Sequence, residues 1–199
     1  MTSNLLGQSR VQKGLSADRI VEAAVELTVN SGGVDRWTVR ALAEAIGAYP
    51  AVIYHHVGDR AEVVRQVVEA IVDKIPVPAE ADSWQDWIRQ AAEVLEERLV
   101  PIRGVARHLA AQAACGSLPE GIRGPAVRVL DAAGFREPER QACRVVSSLC
   151  SLVLVEEAVA DVASVEVDGT AQFREGVQLL VDGLEARLAA VKYGVHAAA

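Results

Sequence analysis

The sequence predicts an all-α protein with an N-terminal and a C-terminal helical domain. Of its 199 residues 51% are hydrophobic but only 4% are aromatic, and this balance favours helices over sheets. Apolar residues recur at intervals of three and four, and Ser, Thr, Gly and Pro fall where these stretches begin and end. We therefore divide the chain into a flexible arm (residues 1–15), a first domain (16–75) and a second domain (76–199).

The first helix is predicted to begin after Ser16 and to end at Gly32 and Gly33. The Ser16 hydroxyl can accept a hydrogen bond from a free backbone N–H of the first turn, and glycine suits a helix end. The apolar positions of this helix are Ile20, Ala24 and Leu27. We expect this helix to brace the two helices that follow it.

Two short helices joined by a glycine-bearing turn are predicted next. Thr38 is a good N-cap for the first, and Gly47 suits its end because glycine tolerates a positive φ. Pro50 suits the first turn of the second, in which Ile53 and Val57 point inward. The residues left on or near the outer surface are Tyr49, Pro50, Ala51, Tyr54 and His55. This arrangement is that of a helix-turn-helix.

The second short helix ends in the block Y-H-H-V-G-D-R at residues 54–60. Its order of tyrosine, histidines, apolar and basic residues resembles the end of the recognition helix in the tetracycline-repressor (TetR) family of transcriptional regulators. The resemblance covers residues 16–72 well and residues 83–191 more weakly. It implies a homodimeric, ligand-responsive regulator, most often a repressor, which binds a pseudo-palindromic double-stranded DNA operator and is released by a small molecule in its C-terminal domain.

The resemblance also implies roles for individual residues of the helix-turn-helix. Contacts to DNA phosphates are implied for Thr38, Tyr54, His56 and Arg60. Base-edge contacts are implied for Arg40, Pro50 and Ala51, with Tyr49 and His55 flanking them. Arg40 could form two hydrogen bonds to guanine, whereas Pro50 and Ala51 could only offer apolar contacts. Val52 stands where the family pattern has a hydroxyl residue.

Residues 60–75 are predicted to form one helix that leads from the first domain into the second. Its buried stripe comprises Val64, Val67, Val68, Ile71 and Val72. Pro76 and Pro78 end it. This helix would be the mechanical lever between DNA binding and the second domain.

The second domain is predicted to be helical throughout, with helices at residues 83–99, 102–114, 119–133, 138–163 and 172–191. The fourth of these is apolar nearly all round, and the fifth has a broad apolar stripe. Together they offer more apolar surface than one body of this size should need. We therefore predict a homodimer through the last two helices, which would form a four-helix bundle.

Three groups of side chains are candidates for a ligand pocket in the second domain. They are the pair Trp84 and Trp87, the pair His108 and Gln112, and the set Cys143, Ser147, Cys150 and Ser151. Packing in the core, or for His108 a place at the surface, is the alternative for each group. A pocket lined by small and apolar groups would suit an uncharged or weakly polar small molecule.

Charge and motifs restrict the function classes. Residues 1–60 carry six basic and six acidic side chains, so the net charge of −7 belongs to the remainder, which has 14 basic and 21 acidic side chains. This distribution argues against indiscriminate binding of nucleic acid. Three cysteines without a C-x-x-C pair, and the lack of a long apolar segment, indicate a reduced, cytoplasmic, soluble protein with no membrane partner.

Catalysis and cofactors find little support in the sequence. It contains no G-x-S-x-G, G-x-x-x-x-G-K or G-x-G-x-x-G motif, so no cofactor is expected. His55 and His56 are adjacent, so they diverge around the helix and cannot chelate one metal ion. Two alternatives to a regulator remain: a ligand-binding or scaffold protein that no longer reads DNA, which the neutral charge of residues 1–60 and Val52 would favour, and an all-α enzyme.

Overall fold

The computed structural model describes residues 15–160 and 169–192, and the regular structure in these residues is helical, as the composition predicted. The predicted arm, except for residue 15, and the end of the helix predicted at 138–163 lie outside these ranges. The described helices are α1 (Ala17–Ser31), α2 (Val39–Ala45), α3 (Pro50–His56), α4 (Arg60–Val72), α5 (Trp84–Leu99), α6 (Val105–Ala114), α7 (Glu120–Ala132), α8 (Pro138–Ala160) and α9 (Gly169–Lys192).

Three helices begin at a hydroxyl residue that caps the first turn. The Oγ of Ser16 accepts a hydrogen bond from the third residue beyond it at 3.3 Å, and Ser83 does the same at 3.1 Å. Thr38 caps α2, its hydroxyl accepting from the Ala41 amide at 3.2 Å. At the other end of α1, Gly32 has φ 73°, the left-handed conformation that glycine adopts without steric cost.

Several helix ends differ from the sequence prediction by a few residues. α4 ends at Val72 rather than at residue 75, and α9 begins at Gly169 rather than at residue 172. α6 begins at Val105 rather than at residue 102, because Gly104 has φ 84° and the backbone before it is not helical. These differences leave the order of the helices as the sequence predicted.

The chain divides into two compact units. The first unit contains the described residues up to Val72 together with the segment Pro101–Val105, and the second contains Asp73–Val100 and the described residues from Ala106 onward. In the first unit α1 packs against α2, α3 and α4. Its buried helical residues are Ile20, Ala24 and Thr28 of α1, Val39, Leu42 and Ala43 of α2, Ile53 of α3, and Val63, Val64, Val67, Val68, Ile71 and Val72 of α4.

The segment Pro101–Val105 joins the first unit through backbone hydrogen bonds. The Arg103 amide donates to the Gly32 carbonyl, and the Val34 amide donates to the Arg103 carbonyl, both at 3.1 Å. A Cβ atom at Gly33 would lie 2.8 Å from the Arg103 carbonyl oxygen, so the approach of the two backbones requires glycine. The sequence boundary at residues 75 and 76 did not anticipate this return of the chain to the first unit.

In the second unit α8 packs against α5, α7 and α9. Its buried apolar side chains are Ala142, Val145, Val146, Leu149, Cys150 and Val153. Gly176 of α9 lies against α8, because a Cβ atom there would meet the Leu152 side chain. In the part of the chain that the structure describes, no helix is long and apolar enough to cross a membrane.

Candidate functional site

The first candidate surface is formed by α2 and α3, and burial decides which of their residues face outward. In α2, Val39, Leu42 and Ala43 are buried. Arg40 lies on the opposite side with its side chain 86% exposed, and its Nε is 3.5 Å from Glu44 Oε1. Such an exposed i,i+4 ion pair contributes little to stability. The Arg40 guanidinium therefore remains available to a partner outside the chain.

The turn between α2 and α3 follows the local chemistry of its residues. Ile46 follows the last residue of α2, and Gly47 takes φ 64°, which a side chain would strain. Tyr49 stands at the N-cap of α3 without a side-chain hydrogen bond to the helix, and Pro50 occupies the first helical position. Proline is favoured there because it has no N–H to leave unpaired.

α3 is held on one side and open on the other. Ile53 is completely buried and anchors the helix to the first unit. Tyr49 and Tyr54 are 59% and 52% exposed, and Ala51, His55 and His56 are exposed as well. The rings of His55 and His56 meet edge to face, with centroids 5.3 Å apart. The predicted outward residues of α3 thus form one continuous exposed face, to which Pro50, half-buried, is adjacent.

Arg60 is placed differently from the other predicted DNA contacts. Its Nη2 donates a hydrogen bond to the Val34 carbonyl at 2.9 Å and to the Trp37 carbonyl at 3.5 Å. The same nitrogen lies 3.6 Å from Asp35 Oδ1, and the guanidinium carbon lies 5.4 Å from the centroid of the Trp37 ring. Arg60 is therefore bound to the loop between α1 and α2, and sequence periodicity gave no sign of these contacts.

The second candidate site is an open cleft of about 550 Å³ in the second unit. It lies between the end of α6 and one side of α8. Its lining residues are Ala113, Ala114, Gly116, Glu139, Arg140, Cys143, Arg144, Ser147, Ser148 and Ser151. Three of the four residues that the sequence grouped on α8 therefore line one cleft, namely Cys143, Ser147 and Ser151.

The remaining predicted pocket residues lie elsewhere in the second unit. Trp87 is buried, and its indole N–H donates to the Pro78 carbonyl at 2.8 Å. Trp84 packs edge to face against Phe135 with ring centroids 5.2 Å apart. His108 and Gln112 are half-buried on α6, and neither is among the described residues that line the cleft.

The two thiols of α8 differ in burial, because one lies in the core and the other at the cleft. Cys150 is buried within the helix packing, and desolvation raises its pKa to about 12. Cys150 therefore belongs to the core rather than to the cleft. Cys143 is half-buried at the cleft, where desolvation also raises the pKa of its thiol. Both thiols are neutral at pH 7 and act as small, weakly polar groups.

Sequence reasoning missed several polar residues of the cleft. Arg140, Arg144 and Ser148 lie at helical spacing with the three predicted residues, so the period of α8 could have indicated them. Arg140 pairs with Glu137 at 2.9 Å. Hydroxyl, carboxylate and guanidinium groups thus line a cleft for which the sequence predicted small and apolar groups.

Curated relatives match less than half of this chain and less than half of their own length. No family model matches the chain. An HTH-type transcriptional regulator of Saccharopolyspora erythraea is 35% identical over 80 residues, which are 40% of this chain and 34% of that protein. The class D tetracycline repressor protein of Escherichia coli is 29% identical over 100 residues, which are 47% of this chain and 44% of the repressor. The match thus spans less than half the length of either relative.

Solved structures match over most of the chain. BioQ from Mycobacterium smegmatis is 27% identical and matches over 86% of this chain and 98% of its own, with a TM-score of 0.69. BioQ with its double-stranded DNA operator is 26% identical over 86% and 99% of the two chains, with a TM-score of 0.64.

Two further solved structures match this chain over a similar length. A TetR variant from Acinetobacter baumannii in complex with minocycline is 26% identical over 87% of this chain and 98% of its own, with a TM-score of 0.69. ActR from Streptomyces coelicolor is 20% identical over 87% and 98% of the two chains, with a TM-score of 0.73, and shows the fold.

Proposed function

We propose that the chain is a member of the TetR family of transcriptional regulators and that it is a ligand-responsive, DNA-binding regulator, a proposal supported by its similarity to the regulators named above. It acts as a repressor that binds a pseudo-palindromic operator as a dimer and is released by a small molecule. A repressor of chromosomal genes works in the cytoplasm, and its action requires no catalytic residue and no cofactor. The curated relatives named above are a transcriptional regulator and a repressor.

One observation carries the DNA-binding part of this proposal: the exposed face of α3 opposite the buried Ile53. Large aromatic side chains such as Tyr49 and Tyr54 are half or more exposed there, which is typical of surfaces that contact a partner. A short helix presented in this way fits the major groove of B-DNA. BioQ, a structural relative, has been solved on its double-stranded DNA operator.

The roles of the exposed residues follow from their chemistry. Thr38, Tyr54 and His56 offer hydroxyl and imidazole groups to phosphates, which fix the position of the protein on the duplex. The base-edge set comprises Arg40, Pro50 and Ala51, flanked by Tyr49 and His55. Within it Arg40 has the freest charged side chain, so it contributes most of the discrimination between base pairs, about 1–3 kcal/mol for one bidentate contact to guanine.

The cleft on α8 is the proposed site of the small molecule. Its lining combines the thiol of Cys143 and the hydroxyls of Ser147 and Ser151 with the small apolar side chains of Ala113 and Ala114. These groups suit a weakly polar part of a ligand, and the guanidinium groups of Arg140 and Arg144 in the same lining suit a hydrogen-bond acceptor on it. A ligand that binds one arrangement of the two helix-turn-helix units better than the other shifts the population towards that arrangement. The TetR variant from Acinetobacter baumannii, for comparison, has been solved with minocycline.

A homodimer through α8 and α9 completes the proposal. Val155 of α8 and Leu179 of α9 are 45% and 67% exposed, although such side chains usually lie inside a protein. A groove between the two helices is lined by both of these residues and by Phe173 and Gly176. Isologous pairing of these helices buries the exposed side chains and presents two recognition helices to the two half-sites of a palindrome.

A second candidate function is a small-molecule-binding or scaffold protein of the same fold that no longer reads DNA. The observation in its favour is Val52, half-buried on α3 at a position where the family pattern has a hydroxyl. The balanced charge of residues 1–60 also gives the surface no bulk attraction for DNA. The two candidates differ in whether the chain binds one DNA sequence better than others.

The test is a selection of bound fragments from the source genome, followed by a gel shift with the selected sequence at several salt concentrations. A regulator binds one fragment specifically, and its affinity falls with salt. Tyr54→Ala should weaken binding to all sequences, whereas Arg40→Ala should also relax sequence preference. Arg98→Ala, which removes a charge that is 54% exposed on α5, against 86% for Arg40, is the control and should leave binding unchanged. Failure to select any fragment would favour the second candidate.

A further inference from the structure

The guanidinium of Arg60, the first residue of α4, is bound to the loop between α1 and α2. Its Nη2 bonds the carbonyls of Val34 at 2.9 Å and Trp37 at 3.5 Å, and the group lies over the Trp37 ring. The peptide group of Trp37 is the one immediately before Thr38, the N-cap of α2. Arg60 therefore contacts the backbone immediately before the residue at which α2 begins.

We propose that Arg60 is a positioning residue for the helix-turn-helix rather than a phosphate contact. It acts through the loop on Thr38 and Arg40, the residues at the start of α2 that face DNA in the proposed function, and the inference rests on that function. Without the guanidinium, the Trp37 carbonyl loses its partner next to the N-cap. The first turn of α2 then loses its fixed position, and with it the aim of Arg40.

The loop is arranged to receive this guanidinium. Val34 is completely buried, its amide donates to Arg103, and its carbonyl accepts from Arg60. The indole N–H of Trp37 donates to Thr28 Oγ1 at 2.8 Å, which fixes the ring that lies beneath Arg60. The amide and the carbonyl of Val34 are thus both hydrogen-bonded, and so are the indole N–H and the carbonyl of Trp37. A loop bonded on three sides transmits the position of each partner to the helix that follows it.

The electrostatics of the position also disfavour a phosphate. The Asp35 carboxylate lies 3.6 Å from the same Nη2 that bonds the two carbonyls. A phosphate that approached this nitrogen would meet the like charge of Asp35 and would compete with the backbone acceptors. Part of the positive charge that a phosphate contact requires is therefore offset within the chain.

The chemistry requires arginine and not merely a cation. A guanidinium is planar, lies flat against an aromatic ring and has several N–H donors in fixed directions. The ammonium of lysine keeps the charge but lacks the planar group that can cover the Trp37 indole while bonding two carbonyls. A phosphate contact, by contrast, would accept lysine, because lysine binds phosphate as a point charge. The two roles therefore predict opposite results for one substitution.

The experiment compares Arg60→Lys and Arg60→Ala with the wild-type protein on the operator fragment selected as above. We expect both variants to bind the operator about tenfold more weakly, the fold-change for one lost hydrogen bond to a charged group. The slope of log K against log salt concentration should stay at its wild-type value in both, since no phosphate contact is lost. Arg65→Ala, which removes an exposed charge from the same helix, is the matched control and should bind within about twofold of wild type.

A second readout separates positioning from simple destabilisation. Arg60→Lys should also reduce the preference for the operator over a fragment altered at the base pairs that Arg40→Ala ceases to discriminate. The double variant that combines Arg60→Lys with Arg40→Ala should discriminate between the two fragments as well as Arg40→Ala alone does. Both changes act through the one contact of Arg40, so the second adds nothing to the first. Thermal unfolding of each variant sets a temperature at which all are folded, so that a smaller folded fraction does not mimic the effect.

Three outcomes would overturn the inference. Wild-type affinity in Arg60→Lys would identify a contact that needs only charge. A salt slope lower by about one in Arg60→Ala would identify a phosphate contact. If folded Arg60→Lys preferred the operator over the altered fragment as strongly as the wild type does, Arg60 would stabilise the fold without positioning Arg40. If the wild-type protein selects no DNA, the proposed function fails first, and the inference fails with it.

Discussion

The two units of the molecule both have apolar cores but differ in how far directional hydrogen bonds join their segments. In the first unit, directional bonds connect separate segments, such as the buried 2.8 Å bond from the Trp37 indole to Thr28 Oγ1 and the part-buried 2.9 Å bond from Arg60 to the Val34 carbonyl. In the described part of the second unit, the buried side chains are apolar apart from Gln141 and Glu157, and the bond from the buried Trp87 indole to the Pro78 carbonyl at 2.8 Å is of the same directional kind. The two units thus differ in how many such bonds join their segments, and not in having or lacking them. Directional bonds fix one geometry, whereas apolar contacts tolerate repacking.

This difference agrees with the tasks proposed for the two units. A surface that reads base edges must hold Arg40 and Thr38 within hydrogen-bond distance of fixed atoms on DNA, so a rigid unit is an advantage. A helical body that responds to a small molecule must instead populate two arrangements of similar free energy. Apolar helix packing, such as that of α8 against α5, α7 and α9, permits such a second arrangement.

The largest effect is expected from an apolar truncation in the second unit. Leu149 of α8 is 1% exposed, so Leu149→Ala should lower the free energy of unfolding by about 3 kcal/mol, through lost apolar burial and a cavity. Leu149→Met should cost less than about 1.5 kcal/mol, because it conserves volume in a flexible side chain. Denaturant unfolding measures both values. Equal costs for the two variants would show that this packing is as specific as that of the first unit.

A directional bond of the first unit should tolerate even a substitution that conserves shape less well than the apolar packing of α8 does. Thr28→Val keeps the shape of the buried side chain but removes the hydroxyl that accepts from Trp37 and donates to the Ala24 carbonyl. The buried indole N–H is then unsatisfied, so we expect a loss of about 2 kcal/mol in the free energy of unfolding. Ser151→Ala removes an exposed hydroxyl from α8 and should change it by less than about 0.5 kcal/mol. A Thr28→Val variant as stable as the wild type would contradict the comparison.

The smallest effect concerns an exposed ion-pair cluster of the first unit. Hydrogen bonds from Arg65 and then Gln66 lower the pKa of Glu62 to about 2. A depressed pKa adds stability above the unfolded pKa of about 4.3, and this contribution is lost as the pH falls towards the folded value. Because the pair is largely solvated, Glu62→Gln should cost less than about 0.5 kcal/mol at pH 7.

The measurement for Glu62 is a pair of unfolding curves over a range of pH. The difference between wild type and Glu62→Gln should shrink as the pH falls from about 4.3 to about 2, because the native carboxylate is then protonated. Glu97→Gln, at an exposed position of α5 with a contact of 3.8 Å to Arg98, should show no comparable change. A difference that grew on acidification would mean that the sign of the Glu62 contribution is wrong.

The fold was largely predictable because its signals are local. The capping hydroxyls of Ser16, Thr38 and Ser83 each begin the helix that the sequence assigned to them, since a cap acts within three residues of itself. The exposed face of α3 was likewise predictable, because one buried residue, Ile53, fixes which side of a short helix faces outward.

The contacts of Arg60 and the place of the segment Pro101–Val105 were not predictable. The acceptors of Arg60 are backbone carbonyls 26 and 23 residues away, and every residue has such a carbonyl. The bridge between Gly33 and Arg103 is also made by backbone atoms, so no side-chain pattern indicates it. The cleft was predicted only in part, because helical period selects a side of α8 but not the element that it faces.

The return of Pro101–Val105 to the first unit has a consequence for dissecting the chain. A fragment that ends at Val72 would contain the whole helix-turn-helix but would leave the Gly32 carbonyl and the Val34 amide without their bonds to Arg103. The edge beside Gly33, where a Cβ atom would lie only 2.8 Å from the Arg103 carbonyl oxygen, would stand open to water. Two stretches separated by 28 residues of sequence must therefore be synthesised before this unit is complete, and no single cut releases it intact.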